Sequence, residues 1–414
     1  GGPGGVPGGG GRGKKKKTGR PGPRGGGRGP LSVKIRRPPA LKNRAGHYII
    51  QPCHIIKTLL RRDGGQALKE LEQLPIPLLT WYREHARVLP WRSDPTPYHV
   101  WLSEIMLQQT RVAAVMEYYR RFLAALPTVA DLAAVEEDQL MKLWQGLGYY
   151  NRARNLQKAA RQVMEDWGGQ FPRTYKDLRT LAGVGDYTAG AIASIAFGED
   201  VPAVDGNVLR VVTRITGDTG DITRADTKER IRAALADILP RGMAGEFNQA
   251  MMDLGATVCL PNGAPLCGQC PAEGFCTAHR EERTGELPVK AAKRPRRVEE
   301  RTVFLLFHGG RVALRRRGEK GLLAGLWEYP NEFSPASDAL AAWGIEPAGE
   351  EFGGTGKHIF THIEWHMTAR LIETKGEALP EGWVWAGREE LRREYAVPNA
   401  FQSFQYLVEE RLRD

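Results

Sequence analysis

The 414-residue sequence has no uninterrupted apolar run near the roughly 18 residues a spanning helix needs, and its first residues lack the apolar core of a secretory signal. The chain is therefore expected neither to span nor to cross a membrane. Cysteine is scarce, with five in the whole chain, which excludes a disulfide-dense secreted scaffold and favours a reducing, cytoplasmic setting. Acid is missing altogether from residues 1 to 62, which hold 16 Lys and Arg. The remaining residues carry 43 Lys and Arg against 48 Asp and Glu, so the net charge of +11 is a property of one end. A polyanionic partner of the body must be gripped by local patches and backbone amides rather than by a global field.

Length and a hydrophobic content of 41% suffice for two ordinary cores. Residues 1 to 66 are expected to be a disordered Gly-, Lys- and Arg-rich arm, with 15 Gly in the first 30 residues, a composition that buries too little apolar surface to fold. It reads either as a non-specific nucleic-acid tether or as a non-native leader. Residues 67 to 278 are a string of amphipathic helical patterns, such as Trp101, Ile105, Val112, Val115, Tyr119 and Leu123. A polar, basic, proline-punctuated linker is expected over 279 to 300. From 301 to 414 the segments 302–307, 311–315, 365–372 and 383–385 read as strands, with helical patterns near 337–343 and 398–413. The fold class expected is multidomain, all-α followed by α+β.

Cys259, Cys267, Cys270 and Cys276 follow one another as C-x7-C-x2-C-x5-C. One C-x2-C between single cysteines suits a 4Fe-4S cluster wrapped by one loop, with zinc as the alternative, since zinc sites usually use two such knuckles. Gly183 and Gly185 in LAGVGDYTAG mark a hairpin before a helix, either a plain tight turn or a set of amides for phosphate. Asp205 and Asn207 flank Gly206 before another helix, where the acid is an N-cap or a catalytic carboxylate. Glu104 lies in the apolar pattern YHVWLSEIMLQQT. If buried there, its pKa rises and it can act as a general acid; at the helix edge it would face solvent.

In order, LPWR (89–92), SEIMLQQT (103–110), GLGYYNRARNL (146–156), LAGVGDYTAG (181–190), VDGNV (204–208) and the cysteine loop resemble the MutY family of adenine DNA glycosylases, within the endonuclease III-like helix-hairpin-helix superfamily. The matches span residues 69 to 277, and HIFTH (358–362) is similar to that family's lesion-reading loop. The resemblance implies hydrolysis of the N-glycosidic bond of a flipped adenine opposite 8-oxoguanine or guanine in double-stranded DNA, with a 4Fe-4S cluster on the four cysteines. It implies that Glu104 protonates the base, that Asp205 stabilises the sugar cation or captures it transiently, that Asn207 orients the sugar and Asp205, and that Tyr187 lines the pocket. Gln108, Gln109, Thr110, Leu147 and Tyr149 would contact and fill the stack, Gly183, Val184 and Gly185 the phosphates, Arg87 and Arg92 the pocket entrance, and Phe360, Thr361 and His362 the lesion base.

Lyase relatives carry Lys at the position of Tyr187, so the resemblance implies a monofunctional enzyme that leaves the abasic site uncut. The x7 gap is one residue longer than the family's usual spacing, and the extra residue near Asn262 and Gly263 is expected to bulge outward. Thr361 replaces the usual Ser and keeps the hydroxyl. The C-terminal part resembles a Nudix fold but lacks, after Gly321 to Glu328, the acidic series that holds magnesium, so it is expected to bind nucleotides without hydrolysing them. A monomer is expected. The rival readings are a bifunctional enzyme for oxidised pyrimidines, a damage sensor with a dead pocket, and a Nudix-like part acting alone on free nucleotides. Deleting residues 1 to 62 should flatten the salt dependence of non-specific DNA binding, measured by titration in rising NaCl, with the single-turnover rate unchanged. A matching loss of rate would make the arm part of the enzyme.

Overall fold

The computed structural model describes residues 69–292 and 295–412; the arm at 1–66, Cys53 and the first two residues of the expected helical part lie outside them. The helical part is built as two packed layers. The first core runs from Leu89 to Ala193 and centres on Trp101, Phe122 and Trp144, which are fully buried. The second joins Leu71 to Tyr82 with Val208 to Leu287. Its helices Lys69–Glu72 and Pro75–His85 therefore pack against residues more than a hundred positions away in sequence.

Local signals account for the helix boundaries. Pro97 opens Pro97–Leu107, and Thr96 Oγ1 accepts from His99 N at 3.2 Å as its cap. Thr128 and Asp131 form a reciprocal capping box at Val129–Ala134. Gly206–Thr216 starts at Asp205 and ends at Gly217, whose φ of +70° is the left-handed stop that glycine adopts without strain. The apolar spacing from Trp101 to Leu123 belongs to two helices, Pro97–Leu107 and Val112–Ala125, broken at residues 108–111. Periodicity alone did not mark that break.

Among the described residues the C-terminal part holds seven strands: β1 Arg297–His308, β2 Arg311–Arg316, β3 Trp327–Glu328, β4 Asn331–Phe333, β5 Pro347–Ile359, β6 Ile363–Thr374 and β7 Trp383–Ala386. The order is β3-β2-β1-β6-β5, with β4 also on β1 and β7 on β2. β1 runs parallel to β6 in the register Arg297↔Ile363 to Phe307↔Glu373, and the other pairings are antiparallel. Both faces are covered, one by Phe401, Phe404 and Val408 and the other by Leu340 and Trp343. Covering on both faces is why residues 303–307 read as continuous apolar sequence rather than alternation.

Two expectations change here. β1 begins at Arg297, four residues inside the stretch read as a linker, because Glu299 is buried with Arg301 and the Trp365 indole as partners. β5, β3 and β4 were not foreseen; β5 carries Gly353, Gly354 and Gly356, which mask a strand pattern.

The sheet docks on the helical part through side chains that reach backbone. Lys142 Nζ donates to Leu391 O at 2.6 Å and Tyr395 O at 3.1 Å, and Gln145 Nε2 donates to Val397 O at 2.7 Å. Arg154 Nη2 donates to Ala324 O at 2.6 Å, and Arg316 pairs with Asp138 at 2.8 Å. The docking brings the β5–β6 turn to Tyr149, whose hydroxyl lies 3.2 Å from Thr361 Oγ1.

Helix Ala244–Thr257 touches the start of Gly206–Thr216 at Gly255, where a Cβ would lie 2.6 Å from Asn207 Cβ. Gly255→Ala should cost about 1–3 kcal/mol, seen as a drop of several degrees in melting temperature by circular dichroism. An unchanged melting temperature would mean that the helices slide apart freely at this contact.

Candidate active site

Glu104 sits on Pro97–Leu107 between the two helical layers and is 5% exposed. It therefore does not lie at a solvent-facing helix edge. The Tyr187 hydroxyl, from the first turn of Asp186–Phe197, donates a very short hydrogen bond to Glu104 Oε2 and lies 3.7 Å from Met252 Sδ. Below, Ala191, Ala203 and Met252 make a small apolar floor. Burial pushes the Glu104 carboxyl up to about 7; the Tyr187 bond pulls the other way, the charge of Asp205 adds to the rise, and Arg92 opposes it. The group is thus divided between acid and carboxylate at neutrality.

Asp205 is an N-cap, as one reading held, and both of its oxygens are engaged. Oδ1 accepts from Val208 N at 2.7 Å, and Oδ2 from Asn207 Nδ2 at 2.8 Å. Burial raises its pKa, while the Val208 amide and the Asn207 bonds lower it. Asn207 is itself held, since Arg210 Nη2 donates to Asn207 Oδ1 at 3.0 Å and to Gly255 O at 2.7 Å. Arg210 Nε then donates to Cys259 O at 2.9 Å, which ties this carboxylate to the cysteine loop.

Arg87 and Arg92, expected at a pocket entrance, both converge on Asp253, which is fully buried. Arg92 spans both its oxygens at 2.7 and 2.8 Å, and Arg87 Nε reaches Oδ1 at 2.7 Å. Burial alone would raise the Asp253 carboxyl, yet the two guanidiniums outweigh it and hold it below its ordinary value. An entrance role for these arginines is limited by this engagement.

Val184 turns its side chain into the first core and its N–H to Leu181 O at 3.1 Å. That leaves the amides near Gly183 and Gly185 and those of the first helical turn for an anion. Gln109 is exposed, with Gln108 and Thr110 half-buried beside it. Leu147, expected in the stack, is instead buried in the first core at 6% exposure, because it closes the tight turn over Trp144. Tyr149 is 49% exposed and stands out from the same turn. Thr361 and His362 are exposed at the β5–β6 turn, while Phe360 packs edge-on against His358 and Trp365.

Cys259, Cys267, Cys270 and Cys276 line one cavity with Val211, Ile215 and Leu254. Among the described residues no three His, Cys, Asp or Glu are placed to hold a single ion. The thiols surround a space rather than converge on a point. Arg214 Nη1 lies 3.3 Å from Cys259 Sγ, a partner suited to a thiolate. Residues 261–264 stand exposed, so the extra residue of the long gap points outward. In the sheet, Glu328 is buried and held by Arg315 and Arg317, which leaves it little freedom to bind a metal.

Sequence reasoning missed Asp253, Arg210 and Arg152. Asp253, an acid in the apolar stretch AMMDLGAT, carried the signal that singled out Glu104. Arg210 and Arg152 look like ordinary helix-surface arginines in sequence, although both are buried.

Comparison with known proteins gives two family matches: the HhH-GPD superfamily base excision DNA repair protein over residues 102–241, and a NUDIX domain over 302–405. The chain is 36% identical over 379 residues to the adenine DNA glycosylase of Mus musculus, covering 76% of this chain and 73% of that protein. It is 35% identical over 382 residues to that of Homo sapiens, covering 76% and 70%. Among solved structures, a thermostable thymine-DNA glycosylase matches 51% of this chain and 98% of its own, at 29% identity and a TM-score of 0.47.

A carboxyl whose pKa is raised by folding favours the folded state only while protonated, and that contribution fades as pH rises from about 4.5 through about 7. Glu104→Gln keeps an acceptor for Tyr187 without the charge. It should raise stability above pH 7 by about 1–3 kcal/mol, with the gain vanishing below about pH 5, as read from urea melts across pH. A gain that does not depend on pH would show that Glu104 titrates normally.

Proposed function

Because the chain belongs to the adenine DNA glycosylase family of base excision repair, whose members hydrolyse N-glycosyl bonds, we propose that it removes adenine opposite 8-oxoguanine or guanine in duplex DNA. The observation that carries this reading is a buried acid, Glu104, hydrogen-bonded to Tyr187 and sensing the charge of a capped carboxylate, Asp205. The two carboxyls have different environments, and different environments assign different roles.

Adenine is a poor leaving group until its ring accepts a proton. Glu104 is the group to give it, to N7 of the extruded base, since its pKa lies near working pH and the apolar floor keeps water from competing. As the bond breaks, positive charge grows on the sugar. Asp205, kept anionic by the Val208 amide and Asn207, faces that charge and stabilises or transiently captures the cation before water completes the hydrolysis. Tyr187 steers Glu104, and being a phenol it cannot form the imine that leads to strand cleavage. The enzyme is therefore monofunctional.

Extrusion leaves a gap in the stack. Gln109 and Tyr149, the exposed residues of their turns, fill it. Phe360, Thr361 and His362 read the base opposite, and the contact of Thr361 with Tyr149 puts reader and filler side by side. The four cysteines would hold a 4Fe-4S cluster, whose thiolate-enclosed metals supply cross-linking of the loop rather than an open coordination site. Through Arg210 that loop borders Asn207 and Asp205.

The test is single-turnover reaction on a duplex with one adenine opposite 8-oxoguanine, resolved with and without hot alkali. Cuts should appear only after alkali. Asp205→Asn should slow them roughly 100-fold or more while retaining the mispair in a gel shift. Cuts without alkali would contradict the monofunctional assignment, and no cuts in either lane would leave a damage sensor as the better reading.

A further inference from the structure

Gln109 and Tyr149 share a backbone feature. Each has positive φ, 58° and 48°, in the left-handed region where a residue with a Cβ is strained by roughly 1 kcal/mol or more. They lie 40 positions apart, on separate turns, one ending Pro97–Leu107 and the other preceding Asn151–Asp166. Strain of this kind persists only where the surroundings enforce it.

Both turns are held by one side chain. Arg152 is buried, and its two terminal nitrogens divide the work between them. Nη1 donates to Ile105 O at 2.7 Å, Met106 O at 3.0 Å and Gln108 O at 2.8 Å, the carbonyls at the end of the Glu104 helix. Nη2 donates to Leu147 O at 2.9 Å and Gly148 O at 3.1 Å, with Thr110 Oγ1 at 3.5 Å. The carbonyl just before each left-handed residue, Gln108 O and Gly148 O, is therefore fixed by a different nitrogen of the same rigid guanidinium. Nε is buried without a partner, so the hydrogen bonds lie wholly at the two forked ends. The cation also lies over the Trp144 ring at 5.3 Å and the Tyr149 ring at 5.7 Å.

We propose that Arg152 is a positioning residue that locks Gln109 and Tyr149 into one unit, so that the two side chains enter the DNA stack together from opposite turns. The inference rests on the reading above, in which these residues fill the space left by extruded adenine. A planar fork with donors on two nitrogens serves two loops at once. A lysine has its three donors on a single nitrogen and lacks the planar fork that reaches the two turns from separate nitrogens. The effect falls on extrusion and retention of the mispair rather than on bond cleavage, since the Arg152 donors bond backbone carbonyls and the Thr110 hydroxyl and neither the Glu104 carboxyl nor the Tyr187 hydroxyl.

The experiment is a double-mutant cycle on binding, with Gln109→Ala and Tyr149→Ala singly and together. The probe is a duplex carrying 2′-fluoroadenosine opposite 8-oxoguanine, in which the fluorine slows cleavage. In the parent the two losses should be coupled, departing from additivity by on the order of fivefold to tenfold. In Arg152→Lys, the coupling should fall to about one and affinity for the mispair should drop roughly tenfold, while the cleavage rate from the saturated complex changes far less than the affinity. If the Lys variant does not melt cooperatively, the parent cycle alone decides, because additive losses there overturn the proposal. Coupling that persists unchanged in a folded Arg152→Lys overturns it too. Coupling present in a protein that releases no adenine would sink the proposed reaction and leave the lock standing.

Discussion

One carboxyl group kept from water organises this molecule. Glu104 is surrounded by the packed faces of two helical layers, and a carboxylate there has lost hydration that a single phenol cannot replace. The group responds by holding its proton to about pH 7. The packing that buries Glu104 also keeps it protonated near neutrality, so packing and chemistry are the same requirement. Folding is weakened by this residue above neutrality, as expected of a group kept for function.

The second carboxylate needs the opposite treatment, and the chain supplies it locally. Asp205 faces the first amides of a helix and a side-chain amide, which favour the anion even as burial opposes it. Its position is then a matter of helix contact. Gly255 allows one helix to approach Asn207, and Arg210 spans Asn207, the Gly255 carbonyl and the cysteine loop. The reading apparatus lies on a different part of the chain and depends on docking. Lys142, whose pKa burial lowers to about 8, reaches two carbonyls of the segment that follows the sheet, and the β5–β6 turn arrives at Tyr149 as a result.

Much of this was legible in sequence where a residue type conflicts with its surroundings. An acid in an apolar helical face pointed to Glu104, and four cysteines in one loop pointed to a shared cavity. The all-α to α+β order and four of the strands followed from periodicity. What stayed hidden depends on turn geometry and on partners that spacing does not encode. Leu147 looks like an exposed wedge until the tight turn that buries it is known, and Arg87 and Arg92 look free until Asp253, some 160 positions on, is placed between them. Arg152 is indistinguishable in sequence from Arg154, two residues away, which pairs with Glu137 at the surface. β5 was obscured by its glycines, and the break at 108–111 by an apolar spacing that continues through it.

The central claim is that Glu104 must carry a proton and Asp205 must not. The direct measure is the single-turnover rate of adenine release as a function of pH, with enzyme saturating. A rate that falls tenfold per unit above about pH 7, and whose falling limb is absent in the slow residual activity of Glu104→Gln, is the expected result. A rate that stays level through pH 9 in the parent would contradict it, since a carboxylate cannot donate the proton the base requires.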